Sequence, residues 1–299
     1  MEFDVSIILL TKNGGNRLKE LMESIKAQNF RGRLETVAVD SGSEDDTLEI
    51  LESYNARIFR IKPEDFHHSK TRNYGASKSK GKVLVYLTQD ALPVGTDLLK
   101  NLLSPLNDED VAVAYGRQIA NLHAKMVDTF FYSYFYPNEK KVLNEIHTED
   151  AKKFFMENIF VSDVCSAIKK DVWEQLKFSD DVHMSEDKDF ALRVLKAGYE
   201  IVYEPEAAVY HSHEYSLGSL FTRRFKDGAA FSSIALQGED NFLRRGLKFF
   251  KEEMKFLIRN NFLGIPYALL YNFTYFLAFF MGNKEKYLPS FVKDPILRN

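Results

Sequence analysis

Val83-Leu84-Val85-Tyr86-Leu87 is an unbroken run of large, largely apolar side chains that ends abruptly on Thr88-Gln89-Asp90. A strand with one wet face alternates apolar and polar residues. A run this apolar therefore predicts a strand covered on both faces, as in a parallel sheet. Two earlier runs end in the same way: Val5–Leu10 on Thr11-Lys12-Asn13, and Val37–Val39, within a strand predicted over Thr36–Val39, on Asp40-Ser41-Gly42. Helical spacing fills the intervals, through Leu18, Leu21, Met22 and Ile25 after the first run and Leu48, Ile50, Leu51 and Tyr54 after the second. Ser43-Glu44-Asp45-Asp46 suits the start of that second helix, where unpaired N–H groups attract oxygen and negative charge. A short strand over Arg57–Ile61 and a helix over Thr71–Ser79 complete the alternation. The expectation is an α/β fold: right-handed βαβ units building a mostly parallel central sheet flanked by helices.

In such a sheet, ligands bind in the crevice outside the carboxyl ends of the strands. Three strands releasing polar residues at one edge predict a nucleotide site. Asp40 and Asp90 could accept hydrogen bonds from a base or ribose, or ligate a hard cation. Each could equally begin a turn or cap a helix, which Asp also favours. Arg72, early in its helix, has the planar fork that grips a diphosphate bidentately, although a solvated surface Arg has the same local sequence.

Further along, Val111–Tyr115 and Val164–Ile168 read as strands, with the aromatic stretch 130–137 between them. Ser185–Ala197 reads as a helix stopped by Gly198, with Ser185 as its cap and Glu186, Asp187 and Asp189 in its first turn. A carboxylate there could instead serve as a general base toward a substrate hydroxyl. Ile201–Tyr203 and Ala207–Tyr210 read as two short strands, the second continuing into His211-Ser212-His213, whose period-two spacing puts both imidazoles on one face. From about Leu217 the pattern is helical, which places a boundary near residue 215.

Composition narrows the field. The 299 residues suffice for one large α/β domain with an appendage, and a net charge of -3 argues against a general nucleic-acid binder. The single Cys165 excludes an intramolecular disulfide and a Cys-built zinc site, and fits a reducing compartment. The chain enters a strand pattern without a basic, cleavable apolar leader, so export by that route is not expected. Gly-x-Ser-x-Gly, Walker and Gly-x-Gly-x-x-Gly motifs do not occur, which counts against hydrolases, P-loop enzymes and dehydrogenases.

Taken in order, several segments resemble the family 2 glycosyltransferases of GT-A fold. They are Val5–Asn13, Asp40-Ser41-Gly42-Ser43-Glu44-Asp45-Asp46-Thr47, Thr71-Arg72-Asn73-Tyr74-Gly75-Ala76, and Glu186-Asp187 with Arg193 and Gly198-Tyr199. A narrower resemblance is to bacterial rhamnosyltransferases, carried by Thr88-Gln89-Asp90-Ala91-Leu92-Pro93, Tyr115-Gly116-Arg117-Gln118, His211-Ser212-His213-Glu214-Tyr215-Ser216-Leu217 and Phe225-x-x-Gly228. The resemblance implies a GT-A catalytic domain over 1–215 and a helical region over 216–299 for acceptor, membrane-surface or oligomer contacts. It implies that Thr11, Asn13, Asp40, Ser41, Arg72 and Gln89 hold the nucleotide. Asp90 and His211 would hold a divalent cation, Mg2+ or Mn2+, and Asp187, with Glu186 as alternative, would be the base. Thr88 stands where the family's metal motif has its first aspartate, leaving one acidic ligand and a weaker hold on the ion.

The implied activity is inverting transfer of a sugar to a cell-surface polysaccharide or lipid-linked acceptor. L-rhamnose from dTDP-L-rhamnose is the favoured donor. A UDP-hexose donor and a silent nucleotide-sugar-binding subunit are the alternatives. Beyond residue 217, Arg223, Arg224, Lys226, Arg244, Arg245, Lys248, Lys251, Lys255 and Arg259 stand among large apolar residues. That mixture suits an anionic membrane surface. Phe262–Met281 is about long enough to span a bilayer, though Pro266, Asn272 and Thr274 weaken that reading. The expectation is a cytoplasmic protein, peripheral at the inner membrane face, with homo-oligomers open and nucleic acid not among its partners.

Overall fold

The computed structural model describes residues 3–181, 185–213, 215–233 and 242–298. Residue 214 of the His-Ser-His segment and 234–241 of the helical region lie outside them. The strands are β1 (Phe3–Thr11), β2 (Leu34–Asp40), β3 (Arg57–Arg60), β4 (Gly81–Thr88), β5 (Leu92–Pro93), β6 (Val111–Ile119), β7 (Lys141–Leu143), β8 (Cys165–Lys169) and β9 (Glu200–Tyr210). The helices are α1 (Gly15–Lys26), α2 (Thr47–Ser53), α3 (His68–Lys78), α4 (Leu98–Leu103), α5 (Met126–Phe135), α6 (Ala151–Glu157), α7 (Lys170–Leu176), α8 (Glu186–Lys196), α9 (Leu217–Ser233), α10 (Phe242–Asn260), α11 (Ile265–Asn283) and α12 (Ser290–Arg298). Two compact units result: Met1–Asn121 with Tyr132–His211, and Leu122–Phe131 with Ser212–Asn299.

In the first unit the strands form one sheet in the order β3-β2-β1-β4-β8-β6-β9-β5, with β7 on β9. The β3-β2-β1-β4 half is parallel throughout, joined by α1, α2 and α3. Its register aligns the strand ends: Thr11 pairs with Asp40, and Leu10 with Thr88. Buried apolar side chains fix that register, because a one-residue slip would turn every one of them to the opposite face. Ile7, Leu9, Leu18, Leu21, Val85 and Leu87 lie in one core cluster, each at most 3% exposed. Full burial contributes ~1.5–3 kcal/mol for each such side chain.

The other half of the sheet departs from the simple alternation. β8 runs antiparallel to both β4 and β6, and β6 runs parallel to β9. β6 extends four residues past the predicted Tyr115, through Gly116-Arg117-Gln118-Ile119, because those more polar residues pair with the end of β9. The two short strands expected around Pro205 are one strand. The register jumps there, Gly116 facing Glu204 and Arg117 facing Ala208, so the bulge absorbs a proline that cannot donate a ladder bond. Gly116 is required at this crossing, since a Cβ would lie 2.4 Å from the Ala207 carbonyl oxygen and 2.6 Å from Cys165 Sγ.

The second unit is helical. α9 and α11 approach backbone to backbone, and a Cβ on Gly228 would sit 2.2 Å from the Phe279 carbonyl oxygen. Inside it, Asn272 donates to the buried Glu253, and Tyr271 donates to Asp128 at 3.2 Å. Burial pushes the Glu253 carboxyl up to about 7, against the Asn272 hydrogen bond.

Candidate active site

The three strand ends are stitched together by the residues that the sequence assigned to the nucleotide. Asp40, 1% exposed, accepts from the Gly42 and Ser43 amides at 3.0 Å each, and from the hydroxyls of Ser43 and Thr11. Ser41 returns its amide and its hydroxyl to the Thr11 carbonyl at 3.0 and 3.2 Å. Asn13, with a left-handed φ of 49°, donates its amide to Ser43 Oγ and accepts from the Glu44 amide at 2.8 Å. Gln89 makes two bonds of 3.0 Å to the backbone of Lys12, one in each direction. Asp40 thus fastens the turn that follows β2 to the end of β1. The exposed Asn13, with Lys12 and Gln89, forms the rim.

Asp90 follows β4 and faces His211 at the end of β9, with Nε2 to Oδ1 at 3.7 Å. β9 stops at Tyr210, so His211 stands just past the strand, its amide donating to Ile119 at 2.9 Å. The orientation of its ring follows from a relay. Tyr136 donates its hydroxyl to the Ile159 carbonyl at 3.3 Å, so it accepts from Gln118 Nε2 at 2.8 Å. That turns Gln118 Oε1 toward His211 Nδ1, 2.9 Å away. Nδ1 then carries a proton, and Nε2 is turned toward Asp90. Asp90 and His211 thus offer a carboxylate oxygen and a ring nitrogen within 4.8 Å of each other. A carboxylate and an imidazole oriented by its other ring nitrogen suit a divalent cation. Gln118 was not singled out as a site residue from sequence; its signal there was membership of the Tyr115-Gly116-Arg117-Gln118 segment that resembles the rhamnosyltransferases.

The third group is a buried charge cluster. Arg72, from α3, is ion-paired to Glu186 at the start of α8 and lies 3.4 Å through Nε from Asp163 Oδ2. Asp163, just before β8, accepts the Ser166 hydroxyl at 2.8 Å and is 2% exposed. Burial pushes its carboxyl up to about 7; Arg72 opposes the shift and Asp187 adds to it. Burial alone would lower the Arg72 pKa, but Asp163, Glu186 and Asp187 raise it, so it stays charged. Asp187 is only partly buried, and its Oδ1 accepts the Lys188 amide at 2.8 Å. Its carboxyl is raised first by burial and then by the negative charge of Glu186.

Ser185 occupies the cap position of α8 but makes no side-chain cap bond, and its φ of 62° is left-handed. The first turn of α8 is therefore held by the Arg72–Glu186 pair rather than by a serine side-chain cap. Sequence reasoning missed Asp163, a lone acid between Ser162 and Val164. The fields also connect the groups: Tyr136, which holds Gln118, has its phenol pushed well up by burial, by Tyr132 and by Asp187.

A crevice at the carboxyl ends of a parallel half-sheet, flanked by an Asp–His pair and a carboxylate at a helix start, defines a GT-A-type glycosyltransferase. The family model described as glycosyl transferase family 2 matches residues 6–176. The chain is 31% identical over 291 residues to the O-antigen chain rhamnosyltransferase RfbN of Salmonella typhimurium, covering 95% of this chain and 91% of that one. It is 32% identical over 289 residues to the O-antigen chain rhamnosyltransferase WbaN of Salmonella anatum, covering 95% and 90%. Among solved structures, the mannosyltransferase PcManGT of Pyrobaculum calidifontis, in complex with GDP-Man and Mn2+, superposes with a TM-score of 0.62. That likeness covers 96% of this chain and 87% of that one at 17% identity, and it concerns the fold. The chain belongs to glycosyl transferase family 2, in its rhamnosyltransferase-like subgroup.

Proposed function

We propose that this glycosyltransferase moves L-rhamnose from dTDP-L-rhamnose to a hydroxyl of a cell-surface polysaccharide or lipid-linked glycan, with inversion at the anomeric carbon. The likeness to two rhamnosyltransferases over nearly the whole chain supports rhamnose as the transferred sugar. The mechanism rests on one observation: of the two acids opening α8, Glu186 is held by Arg72, whereas Asp187 is partly open and raised in pKa. A carboxylate with a raised pKa is the better proton acceptor. In this reading Asp187 takes the acceptor hydroxyl's proton as that oxygen attacks the anomeric carbon. The bond to the donor diphosphate breaks on the opposite face, and its electron pair leaves with the phosphate oxygen.

Thr11, Asn13, Asp40, Ser41 and Gln89 form the nucleotide end of the site. Arg72 has its fork occupied by Asp163 and Glu186, so its contribution to the diphosphate is its positive field. Asp90 and His211 would hold a divalent cation, which when bound supplies positive charge against the leaving diphosphate. Holding donor and acceptor in line lowers the barrier by several kcal/mol, up to about 11 for ideal geometry. The enzyme works in the cytoplasm, peripheral to the inner membrane face where lipid-linked acceptors are presented.

The test is a donor panel of dTDP-L-rhamnose, UDP-glucose and GDP-mannose in thermal-shift and transfer assays, with the product anomer read by NMR. Selective stabilisation and inverting transfer with dTDP-L-rhamnose are expected. Preferential use of either other nucleotide sugar would overturn the donor assignment.

A further inference from the structure

The inner faces of α10 and α11 are fully engaged. Leu257 and Ala268 share a core cluster, and Asn272 binds Glu253. The outer faces are of two kinds. On α10, Arg244, Lys248, Lys251, Lys255 and Arg259 recur at helical spacing on one exposed stripe, with Leu247 and Ile258 interleaved. Of the acids in the described part of α10, Glu253 is buried, and Glu252 sits at the edge of the stripe, held by Lys255 at 2.8 Å. At the tip of the hairpin, Phe262 and Leu263 are 65% and 77% exposed. On α11, Leu269, Phe273, Leu277 and Phe280 continue as an exposed apolar stripe.

We propose that this hairpin is a docking surface for an anionic lipid bilayer: the α10 stripe meets the headgroups, and the tip and the α11 stripe enter the interface. The proposal rests on the peripheral-membrane part of the function above and names the surface and the lipid class. Charge complementarity selects the partner. A stripe of five lysines and arginines, only Lys255 of them paired to an acid among the described residues of α10, beside bulky apolar side chains matches acidic headgroups over hydrocarbon. A second copy would set basic stripe against basic stripe in a two-fold contact. Phe262–Asn283 is long and apolar enough, by length and composition, to cross a membrane. Spanning would carry the attached Glu253 and Asp128 contacts of its inner face into hydrocarbon, whereas lying in the interface leaves them packed.

The experiment is co-sedimentation of the full-length protein with vesicles of phosphatidylcholine alone, or mixed with phosphatidylglycerol, at low and high salt. Wild type is expected to sediment with the anionic vesicles, more weakly as salt rises, and weakly with the neutral ones. Since each basic residue near an anionic surface strengthens binding several-fold, the combined K248E/K251E/R259E variant should bind at least about a hundredfold more weakly. The F262S/L263S variant should lose the part of binding that survives high salt. All five positions are exposed, so unchanged melting temperatures confirm that the variants fold. Equal binding to neutral and anionic vesicles, undiminished binding by the triple variant, or a stable dimer that ignores vesicles would each overturn the proposal. Vesicle binding needs neither donor nor acceptor, so its failure leaves the transferase reading standing, and loss of transfer leaves docking standing.

Discussion

Replacing Asp163 with Asn should stabilise the protein above neutral pH relative to its effect in acid. In the fold this carboxyl is raised from its ordinary 3.8 to about 7, chiefly by burial. The folded state therefore binds the proton more tightly than the unfolded chain. The stability this contributes is fully present below about pH 4 and is lost as pH rises to about 7. A shift of that size corresponds to roughly 4 kcal/mol across the whole window, at ~1.4 kcal/mol per pH unit. Between about pH 5 and about pH 8 the loss is about 2–3 kcal/mol. Asn mimics the protonated acid and does not titrate, so it escapes that loss. It can still accept from Ser166 and face Arg72. The difference in melting temperature, variant minus wild type, should rise by roughly 5–10 °C from about pH 5 to about pH 8. Scanning calorimetry or dye-monitored melting at the two pH values measures it. A variant that loses more stability at the higher pH would refute the reasoning, because it would show an ionised Asp163 whose pairing with Arg72 outweighs its burial.

Two other substitutions probe neighbouring links. Arg72→Met leaves Glu186 and Asp163 buried without their cation. It should cost about 3–5 kcal/mol at neutral pH and less in acid, where the carboxyls protonate; urea melts at both pH values check this. Gln118→Leu removes the acceptor that fixes the His211 tautomer. Mn2+ affinity, read by calorimetric titration, should fall about 10–100-fold, beside a stability loss of about 1–3 kcal/mol for the buried Nδ1–H left unpaired, and unchanged affinity would show that the relay does not orient the ligand.

The parallel half of the fold is legible because buried strands announce themselves as apolar runs. Val5–Leu10 and Val83–Leu87 become the bodies of β1 and β4, and their polar endings fall on one edge. The same criterion fails where a strand carries polar residues for a distant partner. Arg117 and Gln118 look like the end of a run, yet they pair with Ala208 and Val209 and extend β6. Pro205 looks like a break, yet a bulge carries β9 across it. At the site, Asp187, Asp90 and His211 stand out as chemical types at strand and helix ends. Asp163 is invisible for a different reason: its meaning comes from Arg72, on α3, and from Glu186, on α8. No local spacing reveals that Arg72 faces inward to carboxylates rather than outward to a diphosphate.

The central claim is that Asp187 takes the acceptor's proton. Turnover of Asp187→Asn, set beside Glu186→Gln, with donor and acceptor saturating, tests it most directly. The account predicts that Asp187→Asn folds normally, binds donor as wild type does, and loses about 10²–10⁴ in kcat. Glu186→Gln should show its effect first in stability, through the Arg72 pair. Near-wild-type turnover by Asp187→Asn would contradict the account.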